Sequence, residues 1–317
     1  MENHFLASAN TCKGFVNCFD HINYSNKAFT YILKGGPGTG KSTIMKNFGK
    51  NFQDKGYDVE YFYCSSDIES LDGVRIPKKQ IAIVDGTAPH ITEATIPGIK
   101  EKILNVGAYI KEDIKLNKKS IEKHLNKKNY HFALAYSYLK TAGELFKTEQ
   151  LLDKSIKKVD FTKLTNITKQ TGMGSSRKLF ASNLSPNGIN FIYNKNNYQK
   201  KIILHDSLFS NYQTLEELSN VLKENNYNFI CFLSIFDSSL IEAIYIENTN
   251  TIIFAIDPDK NILDNFYNKK IMEKLLKLAG QNIAKAKEYH KKVENYYIKY
   301  MDFEKLSNYI NAELYSL

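Results

Sequence analysis

Short apolar runs and amphipathic stretches alternate along this chain in an order that occurs twice. Residues 29–34, 58–64 and 80–85 read as strands, and 41–54, between the first two, carries apolar side chains at helical spacing. The same sequence of elements returns as strands at about 200–205, 228–235 and 251–257, with a helix at 213–224. After each set the spacing turns helical. Ile103, Gly107, Ile110, Ile114 and Ile121 recur at three- and four-residue intervals, as do Ile283, Ala286, Val293, Tyr297 and Tyr300. Both stripes read as core faces of hairpin-like helices. The pattern predicts an α/β fold built on a parallel sheet flanked by helices, duplicated, with long helical segments after each core.

Residue identities support the duplication. FLASANTCKGF (5–15) matches LFASNLSPNGI (179–189), and GYDVEYFYCSSDIESLDGVRI (56–76) matches NYNFICFLSIFDSSLIEAIYI (226–246). AIVDG (82–86) matches FAIDP (254–258), which sets Asp85 against Asp257. The polar stretch 165–178, with Gly172 and Gly174, reads as the boundary, dividing the chain into domains 1–170 and 171–317.

One segment carries specific chemistry: TYILKGGPGTGKSTIM, 30–45. Gly35, Gly36, Pro37, Gly38, Thr39, Gly40, Lys41 and Ser42 satisfy G-x-x-x-x-G-K-[ST], with an apolar strand before and a helix after, as this phosphate-binding loop requires. Its glycines let backbone amides converge on phosphate oxygens, and the helix N-terminus adds its dipole. Lys41 is placed to reach the β- and γ-phosphates, Ser42 to ligate Mg2+, and Thr43 to contact phosphate or cap the loop. Asp85, closing the apolar strand IAIVD, is the candidate second metal ligand. In the second half GGPGTGKST becomes DSLFSNYQT (206–214), so Tyr212 stands for Lys41 and Gln213 for Ser42. That half cannot cradle a triphosphate by the same physics. Residues kept in both halves, such as Asp67, Asp72, Gly14 and the Ala7-Ser8 pair, therefore read as structural.

With these segments in view, the chain resembles a family of uncharacterised bacterial P-loop ATPases, common among Firmicutes, built from two tandem P-loop halves. The resemblance rests on LKGGPGTGKST, YFYCSSDIESLDGV and IAIVDGTAPH. It implies a P-loop core and ATP binding, and supplies no substrate. Members often keep a phosphate loop in both halves, so DSLFSNYQT is a departure that implies one live site with a degenerate partner. Because Gly86 follows Asp85, the usual water-orienting acid is absent from that position. Asp67, Glu69, Asp72, His90 and Glu93 are the candidates, with Arg75 a candidate for stabilising transferred charge. The expected activity is Mg-dependent ATP hydrolysis coupled to a conformational change. A small-molecule kinase and a nucleotide-gated binding module remain alternatives.

Composition narrows the partners. The 317 residues hold 43 basic and 34 acidic side chains, a net +9. Only Arg75 and Arg177 are arginines, and the Lys, Asn, Ile and Tyr abundance is what AT-rich coding writes on any protein. Nucleic acid is therefore a disfavoured partner, and the Lys/Tyr-rich run 284–300 reads as helix packing. No apolar window is long and clean enough for a membrane span, and no leader is evident. The four cysteines, at 12, 18, 64 and 231, lack paired or zinc-finger spacing and read as reduced cytoplasmic thiols.

Overall fold

A computed structural model of the protein describes residues 2–23, 28–153, 167–186, 188–264 and 266–314. The first repeat begins with β1 (Glu2–Leu6) and the hairpin β2 (Ser8–Thr11) and β3 (Gly14–Asn17), followed by β4 (Phe29–Lys34) and helix α1 (Lys41–Asp54). Strands β5 (Val59–Tyr63), β6 (Leu71–Ile76), β7 (Ile81–Asp85) and β8 (Glu101–Asn105) come next, then helix α2 (Lys118–Leu152). The second repeat comprises β9 (Ser176–Leu179), β10 (Ser182–Ser185), β11 (Gly188–Phe191), β12 (Lys200–Ile203), α3 (Leu208–Glu224), β13 (Phe229–Leu233), β14 (Ile241–Ile246) and β15 (Thr251–Phe254). Helices α4 (Lys269–Tyr300) and α5 (Phe303–Leu314) close the chain.

The first sheet has the order β1-β5-β6-β7-β4-β8 and the second, read from its far edge, β9-β13-β14-β15-β12. Strand for strand, the first five positions correspond. Both sheets are α/β in character but mixed, which corrects the expected parallel sheet. β6 runs antiparallel to β5 and β7, and β14 to β13 and β15. The reason is local: only residues 64–70 separate β5 from β6, too few for the crossover a parallel neighbour needs. The strands β1, β5, β7, β4 and β8 otherwise share one direction.

The repeats agree in fine detail. Each has a bulge opposite the end of its second strand, where Phe62 pairs with Gly73 but Tyr63 with Leu71, and Phe232 with Ala243 but Leu233 with Ile241. The extra residues are the acids Asp72 and Glu242. Gln80 and Asn250 hold positive φ at the same turn. The ladders also correct one alignment. Val84 pairs with Gly73 and Phe254 with Ala243, so the residue matching Asp85 is Ala255, and Asp257 lies two places beyond.

The helical stripe expected from Ile103 is likewise revised: 101–105 is an edge strand beside β4, with Leu104 buried and Ile103 exposed, and the helix starts at Lys118. The later stripe stands, with Ile283, Ala286 and Val293 buried on α4.

The division at 1–170 and 171–317 separates the repeats in sequence, whereas the compact units interleave them. Residues 154–166, including the start of the expected boundary, lie outside the described residues. Unit 1 contains 1–7, 19–134 and 281–317; unit 2 contains 8–18 and 135–280. In unit 1 the sheet face carrying Leu33, Val74, Ile83 and Leu104 packs against Ile44, Met45, Phe48 and Phe52 of α1 and Leu306, Ile310 and Leu314 of α5. Each such buried side chain contributes about 1.5–3 kcal/mol. The C-terminal helix thus completes the core beneath the first repeat's loop.

In unit 2 the bulge acid Glu242 is buried and accepts hydrogen bonds from the hydroxyls of Ser182 and Tyr193, both at 2.9 Å. Burial outweighs these donors and raises its pKa from 4.5 to about 7. A carboxyl that holds its proton more tightly when folded gives full stability below pH 4.5 and loses it as pH rises towards 7. The loss is on the order of 3 kcal/mol. We expect the urea midpoint difference between wild type and Glu242→Gln to shift in favour of the variant between pH 5 and pH 8. Parallel midpoints across that range would contradict the assignment.

Candidate functional site

The loop after β4 owes its shape to two glycines. Gly38 and Gly40 hold φ of +71° and +89°, and Gly40 is the N-cap of α1. The first turn of α1 contains no acid and its N-cap makes no side-chain cap, so the helix presents its positive end to the loop. Thr39, fully buried, pins the turn by donating to the Gly36 carbonyl at 2.8 Å.

Lys41 points back into the loop rather than outward. Its Nζ donates to the carbonyls of Gly35 and Gly36 at 2.9 and 2.8 Å and lies 3.6 Å from Asp85 Oδ2. The side chains of Lys41 and Asp85 are only 10% and 16% exposed, so the charges face each other with little water between them. Thr87 ties the end of β7 to the same loop. Its amide donates to Asp85 Oδ1 at 2.8 Å and its hydroxyl to the Gly35 carbonyl at 2.8 Å. Ser42 Oγ accepts from the Leu71 amide at 3.0 Å, linking the helix start to β6. Pro37 is part-exposed on the loop and Thr43 is exposed beyond it.

The structure therefore gathers the Lys41 ammonium and the Asp85 carboxylate at the 35–42 loop, with the Ser42 hydroxyl at the start of α1. The structure offers an ammonium, a hydroxyl, a carboxylate and a helix N-terminus, the groups that a phosphate ligand and a divalent cation would use. The other candidates have partners of their own. Asp67 caps the 67–70 turn and accepts from Lys287 at 2.9 Å. Burial opposes its ionisation, but the Lys287 hydrogen bond and its neighbours hold its pKa below the usual carboxylate value. Asp237 caps the matching turn in unit 2 and pairs with Lys13, in keeping with a structural role for this acid. Glu93 pairs with Lys34, and Glu69 offers its carbonyl to Lys46. Arg75 is buried in an ion pair with Glu60 at 3.0 Å. His90 sits 3.4 Å from Asp72 and stacks on Phe19.

Two participants were not visible in the motif. Thr87 lies in DGTAPH without a recognisable spacing signal. Helix α4 lies against the loop from more than 250 residues away: a β-carbon on Gly36 would meet the Tyr297 ring at 2.5 Å, and one on Gly38 the Glu294 carbonyl at 2.7 Å. These glycines are needed for close approach as well as for turning. The run 284–300 is accordingly a packing surface, in which Tyr289 stacks on His131 at 5.7 Å.

In unit 2 the corresponding segment is helical. Helix α3 starts at Leu208, capped by Ser207, so an added turn replaces the loop. Asn211 takes over the carbonyls, its Nδ2 donating to Asp206 O at 3.2 Å and Ala255 O at 2.9 Å, and Tyr212 is buried. Cys12 and Cys231 are buried, which pushes both thiols up to about 12 and leaves them unreactive.

The chain is similar over residues 10–84 to the family described as Nephrocystin 3, N-terminal. That stretch takes in the Gly35–Ser42 loop and stops before the second repeat. No curated protein and no solved structure matches the chain. Among the described residues no helix is long and apolar enough to cross a membrane.

Gly36→Ala should destabilise the protein by about 1–3 kcal/mol through overlap with Tyr297, and Tyr297→Ala should recover most of the loss. Gly38→Ala should not be rescued by Ile298→Ala, because backbone at Glu294 blocks it and its φ is positive. Thermal melts of the single and double variants check both; additive losses at Gly36 and Tyr297 would contradict the packing.

Proposed function

We propose that unit 1 binds a nucleoside triphosphate with Mg2+ and hydrolyses it at this single loop, ATP being the nucleotide that the sequence resemblance implies. The observation that carries the reading is a paired loss. Where the first repeat places the Lys41 ammonium beside the Asp85 carboxylate, the second has Tyr212 and Ala255. Loop, cation and acid disappear together, as expected if all three serve one ligand rather than the fold.

In this reading the amides of Gly35–Gly40 and the N-terminus of α1 hold the phosphates, and Lys41 exchanges its two carbonyl partners for phosphate oxygens. Ser42 and Asp85 hold the cation, which supplies charge neutralisation at the transferred phosphoryl group. Thr87 keeps Asp85 oriented while contacting the loop, so β7 and the loop move as one. The contact with Glu294, Tyr297 and Ile298 is the route by which occupancy of the loop would be felt in α4. Glu93, Asp67 and Arg75 have ion-pair partners of their own, which favours slow turnover over rapid hydrolysis.

Phosphate release from Mg-ATP without any acceptor tests the proposal. Wild type should release phosphate, and Lys41→Ala and Asp85→Asn should each lower kcat/KM by about 100-fold or more. Release that survives Lys41→Ala would sink it. Release only on addition of an acceptor would make the protein a phosphotransferase, and binding without turnover a nucleotide-gated module.

A further inference from the structure

Cys64, Asp72 and His90 form a second cluster in unit 1, made of other residues than the Lys41–Asp85 pair. Their Sγ, carboxylate oxygen and imidazole nitrogen all lie within 4.8 Å of one another. Asp72 and His90 are buried and Cys64 is half-buried. We propose that these three side chains form a binding site for one zinc-type divalent ion, with a fourth position left for water or a ligand.

The geometry is close to what such an ion requires. Tetrahedral zinc with bonds of about 2.0–2.3 Å sets its ligand atoms roughly 3.3–3.8 Å apart. Asp72 Oδ2 and His90 Nε2 are already 3.4 Å apart. Closing the remaining gap asks for a side-chain movement at Cys64 of about 1 Å. One thiol, one imidazole and one carboxylate suit zinc or its cobalt and iron(II) analogues, whereas magnesium and calcium demand more oxygen ligands.

The backbone positions each ligand. Asp72 is the bulged residue of β6, and bulges re-aim side chains away from the ladder. Cys64 begins the turn between β5 and β6, its amide held by the Ser70 carbonyl at 3.0 Å. His90 donates its amide to the Thr87 carbonyl at 2.8 Å, and its ring lies flat on Phe19, with centroids 4.9 Å apart.

Repeat 2 supplies the control. There the bulge acid is Glu242, Ser234 occupies the place of Cys64, and the acid is satisfied by the hydroxyls of Ser182 and Tyr193. That set has neither sulfur nor imidazole. Among the described residues, the Cys–Asp–His triad thus occurs in the repeat that keeps the phosphate loop and not in the other. It is also wired to that loop: Asp72 follows Leu71, whose amide binds Ser42 Oγ, and His90 follows Thr87, which binds Gly35. An ion here would stiffen both connections. It would be held by other residues than the magnesium of the proposed ATP site, so either assignment can fail without the other.

The test uses the chelator-treated full chain titrated with Co2+, then Zn2+. One equivalent of cobalt should produce a sulfur-to-cobalt charge-transfer band with tetrahedral ligand-field bands, and zinc should displace it. Cys64→Ser should abolish the charge-transfer band, His90→Gln should lower affinity by about 100-fold or more, and Cys231→Ser should change neither. If Cys64→Ser fails to fold, the thermal midpoints of wild type and His90→Gln with and without one equivalent of zinc replace it; zinc should raise the first clearly and the second much less. No band with one equivalent of cobalt and no rise in the wild-type midpoint with zinc would mean a hydrogen-bonded cluster only. A band that persists in folded Cys64→Ser would place the metal elsewhere. Either result overturns the site.

Discussion

The organisation of unit 1 turns on a buried cation. Lys41 opens α1, yet its ammonium is folded back beneath the loop, where two carbonyls and the Asp85 carboxylate compensate it. A charge removed from water must be paired, and removing one member of such a pair typically costs about 3–5 kcal/mol. That demand fixes the relation of three elements: β4 delivers the carbonyls, α1 the lysine, and β7 the acid. Thr87 and Ser42 extend the same connection to the loop after β7 and to β6. A buried ion pair is a poor way to gain stability alone, because well-packed apolar residues do as well or better. Unit 2 shows the alternative, with Asn211 and Tyr212 filling the equivalent space without an ion pair.

That contrast between repeats is more informative than either taken alone. The duplicated sheet order, the matched bulges and the positive-φ turns at Gln80 and Asn250 show how much of the repeat is scaffold. Against this scaffold, the differences concentrate at the carboxyl ends of the strands, where ligands bind in open α/β sheets. The loop becomes a helical turn, the lysine a tyrosine, the acid an alanine, and the Cys–Asp–His set a Ser–Glu pair with a tyrosine donor. A repeat relieved of a ligand can keep its core and relax its polar sites into ordinary hydrogen bonding.

The parts of this design written in local sequence were legible before the structure. β4 and α1 fall at 29–34 and 41–54 as expected, because an apolar strand, a glycine run and a helical stripe are each decided by neighbours in sequence. β6 escaped because its Asp72-Gly73 interruption hides the alternation, and β8 because five residues fit either period. Asp257 was matched to Asp85 since identity outweighed register. The insertions between repeats change the offset from 174 at the hairpin (Gly14 to Gly188) to 170 at the later turns (Gln80 to Asn250), and only ladder pairing resolves such shifts. The approach of Tyr297 to Gly36 and the gathering of Cys64, Asp72 and His90 depend on tertiary placement that no local pattern carries.

In the proposed function one repeat, and only one, holds a triphosphate. Calorimetric titration of the intact chain with Mg-ATP measures this directly through its stoichiometry. One nucleotide should bind per chain, undiminished in a Tyr212→Ala protein that remains folded and lost in Lys41→Ala. Two nucleotides per chain, or one that survives Lys41→Ala, would contradict it.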